Sequence, residues 1–440
     1  MTGIARVPIF LVLISVPFMF ACTTKPYTQK AMSTPEVMGK GVIDPFAGDE
    51  EWKEKDSLGI LFATNRTPAA EDAEVPFLNE RDVLLHLGVA TVKIEKADVN
   101  QADLKDIDYL KDNSKSITLG LDSVTTFGPL DSALHGLVDT SRLPEDIHEP
   151  AGRFSEIVNQ RLAVNPVKDI FIYVHGVNTS FESPLLVASE LWHYMGYRGV
   201  FIAFSWPSGQ NLMEYVTDVD TAEYSAVQFR KFLEYLISET EAERIHILAF
   251  SAGTKLVTLS LHQIGLMELC NEDENPESTR IGRVLFAAGD VERQLFGMYV
   301  SDKLLEPIDS LTVYMSSSDK ALNASRSIRR YPRLGQPWAS EDIPPEALLY
   351  IKNSGTLEFI DVSGQEGVQE GAGHEYFRSS PWVSSDILAN LALGVPPDKR
   401  GLVLQENQVY WSFPEDYIER LSLALEQLKF EKSLMQIPSP

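Results

Sequence analysis

Apolar residues gather in short runs along the chain, and amphipathic stretches separate many of these runs. The runs with the length and composition of β-strands are 57–66, 83–94, 117–128, 169–176, 199–206, 244–250, 283–289, 310–316 and 356–362. Several are apolar throughout, which is typical of strands covered on both faces. Between them, 183–195 and 221–237 place apolar residues at helical spacing. This alternation predicts an α/β fold: a doubly wound, mostly parallel sheet with helices on both faces.

The N-terminal residues have the pattern of an export signal. An almost wholly apolar stretch over 7–20 follows Arg6, is short for a spanning helix, and leads into Met19-Phe20-Ala21-Cys22. This motif resembles a bacterial lipobox. We therefore predict a signal peptide over 1–21 and a lipidated Cys22, with an ordinary cleaved signal peptide as the alternative. The expected location is the bacterial cell envelope, as an outer-membrane lipoprotein that faces the periplasm.

The rest of the chain is predicted to contain three parts. Residues 22–55 have prolines, serines and threonines but few clustered apolar residues, which indicates a tether between membrane and domain. The alternating pattern assigns the main α/β domain to 56–395. Residues 396–440 are predicted to form a C-terminal helical extension that packs on the domain.

Charge and composition exclude several classes of function. With 38 Lys and Arg against 63 Asp and Glu, the formal net charge is -25. Such a charge disfavours nucleic acid as a partner, and it disfavours simple electrostatic binding of the whole protein to an anionic membrane. We find no metal-ligand spacing such as HExxH or paired CxxC, so the sequence predicts no metal and no cofactor. The two cysteines, Cys22 and Cys270, provide no disulfide framework.

Ser251 lies in the strongest candidate for reactive chemistry. The segment ILAFSAGTKL (247–256) nearly matches Gly-x-Ser-x-Gly, with Ala249 at the first glycine position. The bare pattern is weak because small residues are common. A predicted strand precedes Ser251 and a predicted helix follows it, which is the context that a nucleophile elbow requires. Such an elbow directs the amide of Ala252 at a developing oxyanion.

A nucleophilic serine also requires a base and an acid that orients it. Two histidines follow Ser251: His262 falls within the predicted helix, whereas His374 lies in a glycine-rich loop after the last predicted strand. We therefore predict His374 as the base. The acid is Asp319 or Asp290, which follow different strands, and the position two strands after the nucleophile favours Asp319.

The second oxyanion donor is expected in the loop after an earlier strand. In IYVHGVNTSF (172–181), Gly176 allows the next amide, that of Val177, to turn toward the site. His175 precedes the nucleophile in the chain and is predicted to shape this loop.

Together these segments resemble an alpha/beta-hydrolase family of unknown function that is widespread in bacteria. The matching segments, in the family's order, are LFATNR, FIYVHGVNTSF, FSWPSG, FSAGT, FAAGDV, VYMSSSDKAL, RLG and GHEYF. The resemblance implies a catalytic triad and a pair of oxyanion donors, namely Ser251, Asp319 and His374 with Val177 and Ala252. Where the family commonly has His-Ser-Met-Gly, this chain has Phe-Ser-Ala-Gly at 250–253.

The sequence thus predicts a lipid-anchored serine hydrolase that cleaves a small-molecule or lipid-like ester through an acyl-enzyme. The alternative is a catalytically silent binding lipoprotein on the same fold. Its basic segment SRSIRRYPRLG (325–335) would bind a phosphate head group or an acidic partner, although such clusters are more often solvated surface. A peptidase or transacylase that acts on envelope polymers is a third possibility.

Overall fold

The computed structural model describes residues 27–46, 59–70, 73, 75–94, 116–209, 215–269, 279–338, 343–405 and 409–435. The predicted signal peptide, Cys22 and Cys270 lie outside these residues. Among the residues described, none of the helices combines the length and the apolar character needed to cross a membrane.

One sheet of twelve strands organises the described part of the chain. Its strands are β1 (Thr28–Lys30), β2 (Ile60–Pro68), β3 (Phe77–Ile94), β4 (Thr118–Pro129), β5 (Asp169–Val174), β6 (Val200–Phe204), β7 (Arg244–Phe250), β8 (Ile281–Ala287), β9 (Ile308–Met315), β10 (Leu357–Asp361), β11 (Val403–Leu404) and β12 (Tyr410–Ser412). Across the sheet the order is β1-β4-β3-β2-β6-β5-β7-β8-β9-β10-β12-β11. The eight strands from β2 to β12 in this order are parallel to one another, whereas β2 pairs antiparallel with β3 and β12 with β11. The predicted α/β architecture with a mostly parallel sheet is confirmed.

Helices cover both faces of this sheet. They are α1 (Glu36–Gly39), α2 (Glu149–Val164), α3 (Glu182–Tyr194), α4 (Tyr215–Glu239), α5 (Gly253–Glu268), α6 (Arg293–Ser301), α7 (Lys320–Arg329), α8 (Pro345–Ser354), α9 (Tyr376–Ser379), α10 (Pro381–Leu393) and α11 (Tyr417–Met435). Alternate residues of β5 enter two apolar clusters: Phe171 packs with α3 and α10, whereas Ile172 packs with α2, α4 and α5. Because successive side chains of a strand point to opposite faces, the two clusters lie on the two sides of the sheet.

Residues 27–46 belong to the domain, so the prediction of a tether over 22–55 is wrong for this segment. β1 pairs antiparallel with β4 at the edge of the sheet. The amide of Met32 donates to Oε1 of Glu190 at 2.6 Å, and that of Val37 donates to Oγ of Ser385 at 3.1 Å. The segment contains few apolar residues among prolines, serines and threonines, yet Met32, Val37, Met38 and Phe46 are all buried.

The C-terminal residues extend the opposite edge. β12 pairs parallel with β10, and β11 pairs antiparallel with β12. A buried ion pair, with 2.9 Å between Nε of Arg400 and Oδ1 of Asp386, ties this segment to α10, and the hydroxyl of Tyr417 donates to the same carboxylate oxygen at 3.0 Å. The predicted helical extension therefore contributes two strands to the sheet as well as a helix.

The strand order reverses at β5. Its neighbours are β6 on one side and β7 on the other, and all three strands are parallel. Open α/β sheets commonly bind ligands at such a switch point, outside the carboxyl ends of the strands. Ser251 follows β7 and His175 follows β5, so the fold brings these two loops together at this position.

Candidate active site

Ser251 occupies a sharp turn between β7 and α5. Its φ of 52° lies in the left-handed region, which residues other than glycine rarely adopt. The turn is fixed on both sides: the amide of Ser251 donates to the carbonyl of Ala287 at 3.0 Å, and Oγ1 of Thr254 donates to the carbonyl of Ser251 at 2.6 Å. Backbone strain of this kind persists where neighbouring contacts enforce it, and it is frequent at functional sites.

Two glycines allow the turn to approach the loop after β5. A Cβ on Gly253 would lie 2.3 Å from the carbonyl oxygen of His175, and a Cβ on Gly176 would lie 2.7 Å from Cβ of Ser251. Neither distance is tolerable for carbon, so both positions require glycine. Ala249, at the first glycine position of the motif, is fully buried with its methyl group in the apolar cluster.

The side chains of Ser251, His374 and Asp319 form one hydrogen-bonded chain. Oγ of Ser251 lies 2.8 Å from Nε2 of His374, and Nδ1 of His374 lies 2.7 Å from Oδ2 of Asp319. Because a carboxylate accepts hydrogen bonds, Nδ1 carries the proton and Nε2 is left to accept from the serine hydroxyl. Asp319 is fully buried, and its Oδ1 accepts the amide of Leu322 at 2.9 Å as the N-cap of α7.

Asp290, the alternative acid, is held elsewhere. Its Oδ1 accepts a hydrogen bond from Oγ of Ser325 at 2.6 Å and lies 3.4 Å from Nε of Arg333. The structure therefore brings Asp319, and not Asp290, to His374. The remaining histidine after the nucleophile, His262, pairs with Asp302 at 2.8 Å.

The two predicted oxyanion donors lie next to the serine. Ala252 is the residue before α5, whose N-terminus carries partial positive charge, and Val177 lines the same cavity as Ser251. Within the described ranges, no backbone acceptor takes the amide hydrogen of either residue. Both amides therefore have the capacity to bind an anionic oxygen.

His175 shapes the loop that carries Val177. Its ring stacks on Trp206 with centroids 5.2 Å apart, its Nδ1 lies 2.6 Å from the carbonyl oxygen of Gly176, and its own carbonyl accepts Nε1 of Trp206 at 2.7 Å. Burial lowers the pKa of His175 well below its ordinary value, and the positive charge of Arg66 lowers it further. The imidazole is therefore neutral at physiological pH.

The family model described as an alpha/beta hydrolase of unknown function (DUF900) matches residues 151–391, more than half of the chain. The chain belongs to this family. No curated protein and no solved structure matches it. The matched residues include Ser251, Asp319 and His374, whereas β1 to β4 and the C-terminal segment lie outside the match. The resemblance inferred from the sequence motifs is thereby confirmed at the level of the family and its fold.

Tyr376 supports the histidine of this DUF900 protein in a way that the sequence analysis missed. Its buried hydroxyl donates to the carbonyl of Tyr314 at 2.8 Å and accepts the amide of Ala288 at 2.6 Å. It thereby fastens the backbone two residues after His374 to the ends of β8 and β9. The sequence pointed to Tyr376 only because it belongs to the segment GHEYF, which matches the family. A tyrosine in a polar segment gives no local sign that its hydroxyl is buried and hydrogen-bonded.

Phe250, the apolar residue before the serine, packs against the predicted base. Its ring centroid lies 4.8 Å from that of His374 and 5.0 Å from that of Phe377. The imidazole thus has an aromatic wall on one side and a carboxylate at Nδ1.

A cavity of about 480 Å³ opens beside Ser251. This volume lies within the range of small-molecule sites. Its apolar wall includes Tyr173, Val187, Phe250, Leu322, Ile328 and Phe377. Tyr27 and Gln29 from the N-terminal segment also line it, together with Arg378. In the described part of the chain, no group of three or more His, Cys, Asp or Glu side chains is placed to hold a metal ion.

Proposed function

We propose that this protein is a serine hydrolase that cleaves carboxylic esters through an acyl-enzyme. The observation that carries the proposal is the hydrogen-bonded chain from Ser251 through His374 to Asp319, with distances of 2.8 Å and 2.7 Å, beside a cavity. The elbow conformation of Ser251 and the two amides beside it support the same chemistry.

In the first half-reaction, Oγ of Ser251 attacks the carbonyl carbon of the ester while Nε2 of His374 takes the hydroxyl proton. The carbonyl oxygen becomes an oxyanion, which the amides of Val177 and Ala252 bind. Each such donor typically contributes about 3 kcal/mol to the transition state. Asp319 stabilises the imidazolium ion and keeps its orientation.

The intermediate then collapses. The bond between carbon and the leaving oxygen breaks, and His374 gives its proton to the departing alkoxide, so that an alcohol leaves and the acyl group remains on Ser251. A water molecule repeats the sequence: His374 takes its proton, the new hydroxide attacks the acyl carbon, and the carboxylic acid is released as Ser251 recovers its proton.

An ester is the substrate that the site supports best. The apolar cavity wall offers a binding surface for the acyl portion, and the departing alkoxide requires no further group than His374. Thioesters, amides and acyl transfer to an acceptor other than water follow the same first half-reaction. A panel of such substrates therefore distinguishes them.

The cellular part of the proposal rests on the sequence. The apolar stretch over 7–20 and the motif that ends in Cys22 support lipid anchorage in the envelope of a bacterium. Cell fractionation tests it: Cys22→Ser should release the protein from membranes, and continued retention of the variant would contradict lipidation.

Labelling with a fluorophosphonate probe tests the enzymatic part. The protein is the chain from residue 23 onward, which keeps every described residue. We expect labelling of the wild type, none of Ser251→Ala, and a large loss with His374→Ala. Ser327→Ala, which removes an exposed hydroxyl bonded to the carbonyl of Asn323 in α7, is the matched control and should label normally. Absence of wild-type labelling, beside a known serine hydrolase that does label, would favour the silent binding lipoprotein.

A further inference from the structure

The C-terminal end of α7 exposes both basic and apolar side chains, and one of them, Ile328, lines the cavity beside Ser251. We propose that this surface docks the mouth of the cavity on an anionic lipid bilayer, and that the ester is an amphiphile drawn from that bilayer. The second half of this statement rests on the proposed hydrolase function. The docking surface is defined as Arg326, Ile328, Arg330 and Tyr331.

The position of α7 connects this surface to the chemistry. Asp319 caps the N-terminus of the helix, and Ala321, Ala324 and Ile328 line the cavity along its length. Ile328 is 59% exposed, so it belongs to the rim rather than the floor. An object that contacts Ile328 at the end of α7 therefore reaches the rim of the cavity.

The charged part of the docking surface is available to a partner. The side chains of Arg326 and Arg330 are exposed, and neither has an ion-pair or hydrogen-bond partner among the residues the structure describes. A basic last turn alone has an ordinary explanation, since cations are favourable near a helix C-terminus. The helix dipole does not explain why the apolar side chain of Ile328 and the ring of Tyr331, which is 56% exposed, are also on the surface.

Basic and apolar side chains exposed together are typical of elements that bind at a membrane surface. The apolar residues enter the interface, and the guanidinium groups remain at the level of the anionic head groups. The net charge of -25 opposes attraction of the whole protein. At physiological ionic strength, however, charges farther than about 8 Å from the lipid are largely screened, so the local surface decides.

The N-terminal segment gives an independent reason to place the mouth at a membrane. Tyr27 lines the cavity and is 38% exposed, and it follows the predicted lipidated Cys22 by five residues. Five residues span at most about 18 Å. A lipid at Cys22 would therefore hold the cavity mouth within that distance of the bilayer.

A bilayer fits this surface better than an acidic protein does. A protein seated on the docking surface would cover the mouth, whereas a bilayer supplies the substrate through it. Behind the rim, Val187, Phe250 and Phe377 offer apolar surface to an acyl chain. The chemistry of rim and interior together selects an ester with an apolar acyl chain and a polar head.

Vesicle flotation tests the docking surface without reference to catalysis. The chain from residue 23 onward, which carries no lipid, is mixed with vesicles of phosphatidylcholine alone or with phosphatidylglycerol. We expect association with the anionic vesicles that added salt weakens. Arg326→Gln with Arg330→Gln should weaken it roughly thirtyfold. Arg198→Gln, an exposed arginine that precedes β6 and so lies at the amino ends of the parallel strands, away from the cavity at their carboxyl ends, is the matched control and should bind like wild type.

Failure to bind anionic vesicles, or equal binding by the double variant, overturns the docking surface. Kinetics tests the substrate class: the double variant should hydrolyse a water-soluble ester like wild type but should be slowed on an ester embedded in anionic vesicles. Vesicle binding without hydrolysis of either ester would contradict the hydrolase function while docking stands. Hydrolysis of the soluble ester without vesicle binding would contradict docking alone.

Discussion

Nδ1 of His374 lies 2.7 Å from Oδ2 of Asp319, and the other oxygen of that carboxylate caps α7 through the amide of Leu322. One buried side chain therefore fixes the imidazole and also the helix that lines the cavity. A shift of α7 would therefore move the histidine as well, because both are hydrogen-bonded to the same carboxylate.

Replacement of this carboxylate by an amide separates its two tasks. Asparagine is as good an N-cap as aspartate, so the free energy of unfolding of Asp319→Asn should stay within about 0.5 kcal/mol of wild type. Its kcat for ester hydrolysis should fall about 10⁴-fold, because the amide no longer holds the correct tautomer of His374. Asp290→Asn should lose less than about tenfold, since its partners are Ser325 and Arg333. A larger kcat loss in Asp290→Asn than in Asp319→Asn would reverse the assignment.

The close approach of Gly176 to the nucleophile gives a steric prediction. In Gly176→Ala the new methyl would lie 2.7 Å from Cβ of Ser251, so the loop with Val177 or the serine must move. A displacement of about 1 Å at such a site costs roughly a hundredfold in kcat. Gly152→Ala in α2 is the control, because its methyl meets nothing within 4 Å. It should raise the free energy of unfolding by about 0.5–1 kcal/mol and leave kcat unchanged. Equal kcat in the two variants would contradict the geometry of the elbow.

Loss of the Tyr376 hydroxyl should act on both stability and rate. Tyr376→Phe leaves the buried amide of Ala288 without its acceptor, at a cost of about 1–3 kcal/mol in the free energy of unfolding. Because the backbone after His374 is then less firmly held, kcat should fall about tenfold with KM unchanged. Tyr350→Phe, at a half-exposed tyrosine of α8, is the control for loss of a phenol. A change in KM with constant kcat would mean that Tyr376 contributes to substrate binding instead.

Burial of neutral His175 predicts a loss of stability in acid. Its pKa is lowered in the folded protein, so below the ordinary value of about 6.5 the unfolded chain binds a proton that the folded protein does not. The free energy of unfolding should therefore be unaffected by this group above that pH. Below it, the group should contribute a loss of about 1.4 kcal/mol per pH unit. Denaturant unfolding at several pH values measures the slope. His175→Gln should reduce the slope by one proton, and an unchanged slope would contradict a buried neutral imidazole.

Local sequence rules predicted the central sheet and the turn at Ser251. Strands covered on both faces are apolar throughout, and a nucleophile elbow is recognisable from a strand, a serine between small residues and a helix within a short segment. The choice between Asp319 and Asp290 had no local answer, because each follows a strand end. Asp290 follows β8 and Asp319 follows β9, and the conformation of the loops after these strands determines which carboxylate bonds to His374.

The edges of the sheet were harder to predict. Met32, Val37, Met38 and Phe46 join one apolar cluster whose other members come from distant parts of the chain, so the local sequence does not show that they are buried. Tyr376 presents the same difficulty, since its two partners, at the ends of β8 and β9, lie 88 and 62 residues away. Contacts between residues far apart in the chain leave no pattern in the sequence around either residue.

The packing of residues 27–46 against the domain has a consequence for the order of folding. The amide of Val37 bonds to Ser385, 348 residues later, and the cavity wall with Tyr27 and Gln29 belongs to the same segment. Closing so large a loop is entropically costly, and contacts of this kind form late. The wall of the cavity is therefore complete only after almost the whole domain has been synthesised, although the segment that closes it is among the first to be made.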